Sequence, residues 1–364
     1  MNITRRSFGL AALGGMLLPA LPAIAKAPFA GAQAAGVYRL KVGGFEVTVL
    51  NDGSLPIETK FFTGNPEGAA KLLEGRFLSK DATPTAVNEW LVNAGDKLIL
   101  VDTGTSNLFG PGLGRMAKNL AAAGVDPAAV DMVILTHLHP DHAAGLLTAD
   151  KKIAFANATV HVSEAEYAFW TSPENSAKAP DDFKPFFEMA RNSIKPYVDA
   201  GKVERFKDRT EFAPGIVASA APGHTMGHTM VRLSSGPGEL LLWGDIVHNA
   251  ALQFPEPDRA ISFDTDQAMA IANRKRVFDM AATDKLLIAG THLPSPASAT
   301  SPRLRTDTLT CRWNGARICR AASFRRCRVG KNRLTLACKL ALTSPAIFAH
   351  AVEPQSRTAW AKSR

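Results

Sequence analysis

The sequence predicts an α/β chain folded as an αββα four-layer sandwich, with two β-sheets packed together and helices outside. Three observations lead there. Strand patterns fall into two halves, each bracketing segments of helical spacing, an order that lays helices over the outer faces of paired sheets. A short Gly-containing connection, Ala94-Gly95-Asp96, joins two strand patterns as an antiparallel hairpin. Histidines and aspartates gather at the carboxyl ends of apolar strands, where α/β architectures place their sites.

In chain order, Tyr38–Leu50 alternates apolar and polar residues and runs into Asn51-Asp52-Gly53, a hairpin's worth of strand closed by that turn. Strands follow at Ala86–Asn93 and Lys97–Asp102. Gly114–Ala123 carries apolar residues at helical spacing with a stop at Gly124, and leads into a buried strand at Met132–Thr136. Later strands are expected near Thr159–Val162, Val217–Ala220, Met230–Leu233, Leu240–Trp243 and Leu286–Ala289. Helices around Glu164–Trp170, Phe183–Ala200 and Gln267–Ala282 separate them.

With 364 residues, 46% of them hydrophobic, the chain is long enough to bury a full core. Its net charge of +9 raises the question of nucleic acid or acidic membranes, and the distribution answers it. Residues 301–364 hold 14 Lys and Arg against Asp307 and Glu353, whereas residues 1–300 hold 28 basic and 31 acidic groups. The body is mildly acidic, which disfavours nucleic acid as a partner. All the cysteines, Cys311, Cys319, Cys327 and Cys338, lie in the same last stretch, at gaps that fit no zinc-finger spacing.

Thr4-Arg5-Arg6-Ser7-Phe8-Gly9-Leu10 precedes a mildly apolar run to Ile24, with small residues at Ala23 and Ala25. This is the pattern of a twin-arginine export signal over 1–25, followed by an Ala/Gly-rich linker over 26–36. Gly14, Gly15, Pro19 and Pro22 break the run, so no stable membrane anchor is expected. The periplasm is the expected location and the twin-arginine machinery an expected partner.

The chemistry-bearing stretch is Thr136-His137-Leu138-His139-Pro140-Asp141-His142, delivered by the Met132–Thr136 strand. Leu138 between the first two histidines turns both imidazoles to one side of an extended backbone. Pro140 forces a turn that brings Asp141 and His142 to a neighbouring position, so two adjacent metal positions result. Further ligand candidates follow later strands: His224 in Pro222-Gly223-His224-Thr225-Met226-Gly227-His228, Asp245 in Leu242-Trp243-Gly244-Asp245, and His292 in Ala289-Gly290-Thr291-His292.

The series HxHxDH, GHTxGH, GD and a late strand-end histidine resembles the metallo-β-lactamase superfamily over residues 38–296. The resemblance implies a catalytic domain spanning 37–294. It implies that His137, His139 and His224 hold one metal, that Asp141, His142 and His292 hold the other, and that Asp245 bridges both. A nitrogen-rich set with carboxylates and no thiolate suits two Zn²⁺ per chain and admits Mn²⁺, Fe or Co²⁺. A hydroxide held between two such ions is nucleophilic at neutral pH, so hydrolysis needs no serine or cysteine. Asp141 and Asp245 are the catalytic carboxylates on this reading, Asp141 also moving protons. Asp102, in Val101-Asp102-Thr103-Gly104, either caps a turn or supports a ligating imidazole; the resemblance implies support, and His228 resembles a supporting residue too. His161 and His350 belong to no ligand motif and read as ordinary structural or exposed histidines.

Within the superfamily the chain resembles methyl parathion hydrolase and its organophosphate- and lactone-hydrolysing relatives. The supporting stretches include Leu108-Phe109-Gly110-Pro111, Lys178-Ala179-Pro180-Asp181-Asp182, Phe186-Phe187 and Ala250-Ala251-Leu252-Gln253-Phe254. That match implies an aromatic pocket of Phe109, Trp170 and Phe186 for the leaving group, although core packing also accounts for such residues. His248, three residues after Asp245, should face the pocket rim and departs from the apolar residue expected there. The expected substrate is a small-molecule ester, a phosphotriester, lactone or aryl ester; the sequence leaves these open, along with assembly as a homodimer.

After His292 the resembled family continues as a loop like Leu-Pro-Phe-Pro-Gly-Ile-Gly-His and a closing strand, whereas this chain reads Leu293-Pro294-Ser295-Pro296-Ala297-Ser298-Ala299-Thr300-Ser301-Pro302. Writing GC-rich codons for the family loop and dropping a single T returns the observed string. Residues 295–364 therefore read as an out-of-frame translation, expected to leave a sheet edge unpaired. A genuine basic tail for nucleic acid or anionic lipid is the competing reading. Two other functions fit the same motifs: a mononuclear iron persulfide dioxygenase of this fold, and a metal-binding protein left inactive by its altered C-terminus.

Overall fold

The computed structural model describes residues 33–294 continuously, with Phe29, Gly31 and the backbone of Ser298–Thr300. The export signal, the cysteines and His350 lie outside the described residues.

The first sheet contains β1 (Val37–Val42), β2 (Phe45–Glu58), β3 (Ala82–Asn93), β4 (Leu98–Val101), β5 (Met132–Ile134), β6 (Thr159–Ser163) and β7 (Val203–Phe206), in that spatial order. It is antiparallel through β4 and parallel from β4 to β7. The second sheet comprises β8 (Glu211–Ala213), β9 (Ile216–Ala220), β10 (Thr229–Ser235), β11 (Gly238–Leu242), β12 (Leu287–Ala289) and β13 (Ser298–Thr300), each beside its neighbour in sequence. The helices are α1 (Pro66–Glu74), α2 (Met116–Ala122), α3 (Pro140–Ala143), α4 (Glu164–Thr171), α5 (Pro173–Lys178), α6 (Lys184–Asp199), α7 (Ala250–Gln253) and α8 (Gln267–Thr283).

Period-two alternation assigns each strand residue to a layer. Val47, Val49, Trp90, Val92, Ile99 and Val101 point between the sheets, against Ala218, Val231, Leu233, Leu240 and Leu242. Leu50, Leu91 and Leu100 point the other way, onto Leu120 of α2 and Ile194 and Tyr197 of α6. On α6, Phe187, Ala190, Ile194 and Tyr197 recur at helical spacing and form its buried face. On α8, Val277, Phe278 and Ala281 cover the second sheet. Each such aliphatic or aromatic side chain contributes about 1.5–3 kcal/mol through burial, so the four layers hold one another in place. The αββα sandwich expected from the sequence is the fold observed.

Two expectations are corrected. Asn51-Asp52-Gly53 does not close a hairpin: β1 and β2 turn at Gly43-Gly44, and Asn51–Gly53 is a bulge within β2, where the register against β3 shifts. The same residue types serve turns and bulges, and here the buried Asp52 carboxylate accepts from Thr105 N (3.0 Å), Thr105 Oγ1 (2.5 Å), Gly114 N (3.0 Å) and Met116 N (2.7 Å). The edge at β12 is not left unpaired either, because Ser298–Thr300 pairs with it antiparallel. Main-chain hydrogen bonding needs no particular side chains, so this stretch supplies a strand there. Helices α1 and α5, absent from the sequence reading, both start with a capping side chain and Pro at the first turn: Asn65 accepts from Glu67 N, and Ser172 from Asn175 N.

Candidate metal centre

Four loops, each leaving the carboxyl end of a strand, converge at one end of the sandwich. The loop after β5 and the short α3 carry His137, His139, Asp141 and His142. The β9–β10 loop carries His224, the loop after β11 carries Asp245 and His248, and the loop after β12 carries His292. His137, His139 and His224 form one group whose ligand atoms lie within 4.8 Å of one another, and Asp141, His142, Asp245 and His292 form another. The carboxylate of Asp245 stands between them: Oδ2 is 3.7 Å from His137 Nε2, 3.3 Å from His224 Nε2 and 3.0 Å from His292 Nε2, and Oδ1 is 3.3 Å from His142 Nε2.

Chemically, this donor set fits divalent cations. Nε2 of His137, Nε2 of His142 and Oδ1 of Asp245 are buried without a hydrogen-bond partner among the described residues, an arrangement that costs free energy unless something else satisfies it. Burial, reinforced by His142, holds His137 well below the usual histidine range; burial, reinforced by His224, does the same to His139. Both are therefore neutral imidazoles with lone pairs free to bind metal. Burial works against protonation of His224 too, but its hydrogen bonds to Asp245 and Asp264 outweigh burial and raise it to about 9.

Buried partners orient the rings. Asp102, in the left-handed region at φ 61°, accepts from Thr136 N and Thr136 Oγ1 at 2.8 Å and pairs with His142 Nδ1 at 2.9 Å. A non-glycine residue held there costs of order 1–3 kcal/mol, and such strain concentrates at functional sites. His228 Nε2 accepts from Asp245 N at 3.0 Å while Nδ1 meets Ala221 O at 3.1 Å, and burial keeps this ring neutral, its pKa lowered to about 3. His292 Nδ1 lies 2.9 Å from Ala86 O, and Asn88 Nδ2 donates to Thr291 O and Leu293 O, tying the last ligand loop to β3. Gly223 and Gly244 have positive φ, and a Cβ on Gly244 would lie 2.6 Å from His228 Nε2.

Above the cluster lies a cavity of about 100 Å³, open to solvent and lined by Leu55, Ile57, Phe109, Phe186, Phe263 and His248 together with ligand-set residues. Phe109 and Phe186 stand in its wall. Trp170 does not: it is fully buried behind His139, ring centroids 5.3 Å apart, with its indole donating to Glu166. Helical spacing on α4 turns it into the core instead. His248 faces the cavity from below, its Nε2 3.3 Å from Asp245 Oδ2 and its Nδ1 without a partner among the described residues. His161 is in β6 beside Glu204 and Phe212, away from the cluster.

Five residues escaped the sequence reading. Asp264 orients His224, Oδ1 to Nδ1 at 2.9 Å; the acidic pair Asp264 and Asp266 before α8 reads as capping, and Asp266 alone is the cap. Leu55, Ile57 and Phe263 wall the cavity but look like any core residues in sequence. Glu166 is buried and accepts four hydrogen bonds. Its spacing from Ser163 is that of a capping box, and only its inward turn reveals more.

Residues 82–297 match the family model described as the metallo-beta-lactamase superfamily. The chain is 25% identical over 238 residues to the N-acyl homoserine lactonase AiiB of Agrobacterium fabrum (strain C58 / ATCC 33970), covering 60% of this chain and 82% of that protein. Among solved structures it is similar to the hydrolase AbOPH of the beta lactamase superfamily, at 34% identity and TM-score 0.70 over 74% of this chain and 94% of that one. It is also similar to AidC, a dizinc quorum-quenching lactonase in complex with its N-hexanoyl-L-homoserine product, at 29% identity and TM-score 0.69 over 73% of this chain and 93% of that one.

Proposed function

Because the chain belongs to the metallo-β-lactamase superfamily of hydrolases, we propose that it is an exported dinuclear-metal lactonase. The observation that carries the reading is the convergence of two adjoining donor groups, joined by Asp245, beneath an apolar-walled cavity. His137, His139 and His224 would hold one divalent cation, Asp141, His142 and His292 a second, and Asp245 both. The ions would supply a nucleophile from water at neutral pH and polarise the substrate carbonyl. The second, carboxylate-bearing donor group favours two ions over the single iron of a dioxygenase.

The chain's own residues do the rest. Phe109, Phe186, Phe263, Leu55 and Ile57 exclude water and bind the apolar part of the substrate. His248 lines the same cavity and is the polar side chain beside these apolar walls. Asp141, whose side chain is the most exposed of the ligand set at 22%, faces the cavity and is placed to hand a proton to the departing alkoxide. Water adds across the acyl–oxygen bond, and the ring opens to a hydroxy acid. Likeness to AiiB and AidC supports a lactone; the sequence resemblance to methyl parathion hydrolase keeps phosphotriesters in the test. Export rests on the N-terminal twin-arginine pattern.

Zinc-loaded protein should take up two ions and open acylated lactones faster than it cleaves aryl esters, phosphotriesters or β-lactams. Removing the ions with a chelator should abolish turnover. Two bound ions with no lactone turnover would sink the proposal. Among the described residues no helix is long and apolar enough to cross a membrane.

A further inference from the structure

Glu166, on the first turn of α4, is a buried carboxylate whose partners all belong to the ligand loops or to its own helix. Oε1 accepts from Leu138 N at 2.9 Å and from Trp170 Nε1 at 2.7 Å; Oε2 accepts from Thr225 Oγ1 at 2.7 Å and from Gly227 N at 2.8 Å. Leu138 is the residue between His137 and His139, and Thr225 follows His224 directly. One side chain therefore grips both loops that form the three-histidine group, at Leu138 ahead of the turn at Pro140 that leads to Asp141 and His142, and touches neither the His292 nor the Asp245 loop. Ser163 completes the grip: its hydroxyl donates to Gly227 O at 2.7 Å and accepts from Glu166 N at 3.1 Å. The fit leaves no space for a side chain at 227, where a Cβ would lie 2.1 Å from Glu166 N and 2.5 Å from Ser163 Oγ.

We propose that Glu166 is a positioning residue that sets the spacing of His137 and His139 against His224, and so governs metal affinity at the three-histidine position alone. A carboxylate is suited to this because it accepts all four bonds at once, whereas an amide of the same shape presents two donors to half of them. Trp170, read from sequence as a pocket residue, is here part of the buckle that carries Glu166. The inference rests on reading the cluster as two metal positions.

The test is competitive titration of Zn²⁺ and Co²⁺ into the full chain, with apoprotein melting measured alongside. Glu166→Gln should weaken one of the two ions about 10–100-fold, the usual consequence of losing a buried partner that orients a metal ligand, and leave the other unchanged. In a His292→Ala background the weakening should persist; in a His224→Ala background Glu166→Gln should change nothing in the remaining ion. Thr225→Val, which removes one of the four donors, should weaken the same ion less and serves if Glu166→Gln fails to fold. Equal weakening of both ions, or a lower apoprotein melting temperature with unchanged affinities, would overturn the inference and assign Glu166 a purely structural part. Wild-type protein that takes up no ion overturns the two-metal reading and this inference together.

Discussion

Asp102 Oδ2 lies 2.9 Å from His142 Nδ1, both groups being fully buried. A carboxylate can only accept there, so Nδ1 carries a proton, and Nε2, which faces Asp245 and Asp141, is the ring atom left to bind a metal once it is deprotonated. Asp102→Asn turns a donor toward the ring, favours the opposite tautomer, and puts a proton where the lone pair is needed. The expected outcome is about 10–100-fold weaker binding of one metal ion, read by titration, with the Thr136 N contact retained and the fold intact by circular dichroism.

His248 offers a ligand atom near His224 and Asp245 as well as facing the cavity. These two placements give different results for His248→Ala. If the side chain serves the substrate, two ions remain and kcat/KM for the preferred lactone falls roughly tenfold, the worth of a single hydrogen bond of about 1.4 kcal/mol. Loss of an ion on elemental analysis would instead make it a ligand.

Gly223 is held at φ 130°, and a Cβ there would lie 2.2 Å from Ala270 N on α8. The contact is backbone on backbone and cannot yield by a rotamer change. Gly223→Ala should destabilise the protein by about 3 kcal/mol or more, seen as a lower denaturation midpoint in urea.

The Tyr197 hydroxyl donates to Leu146 O and accepts from Phe155 N, and burial raises its pKa to about 12. Folding thus favours the neutral phenol. Its contribution is fully present below about pH 10, the ordinary tyrosine value, and is lost as pH rises toward 12. Tyr197→Phe should be less stable than wild type at pH 8 and should flatten the decline in melting temperature between pH 10 and 12. An unchanged slope would remove Tyr197 as its source.

The cluster could be read from sequence because its ligands are locally concentrated. His137, His139, Asp141 and His142 fall within six residues after an apolar strand, and the Gly-His and Gly-Asp pairs mark the other loops. What holds them is not local. Asp264 reaches His224 across 40 residues, and Glu166 reaches Gly227 across 61, so no window of sequence contains both partners. Trp170 was misplaced because aromatic residues serve walls and cores alike, and only its position on α4 decides between them. The bulge at Asp52 was taken for a turn because its residue types suit both, and the deciding contacts, Thr105 and Met116, are more than 50 residues away.

The tie between Asn88 and the loop bearing His292 makes the centre a fastener as well as a reaction chamber. His292 comes last in the chain and hangs from the short β12, yet its loop is bonded to β3 of the opposite sheet. An ion gripped by both His142 and His292 would therefore staple the two halves of the sandwich at its open end. Loss of such an ion would then act on folding as well as chemistry, loosening the C-terminal strands first and exposing them to proteases before the rest of the domain gives way.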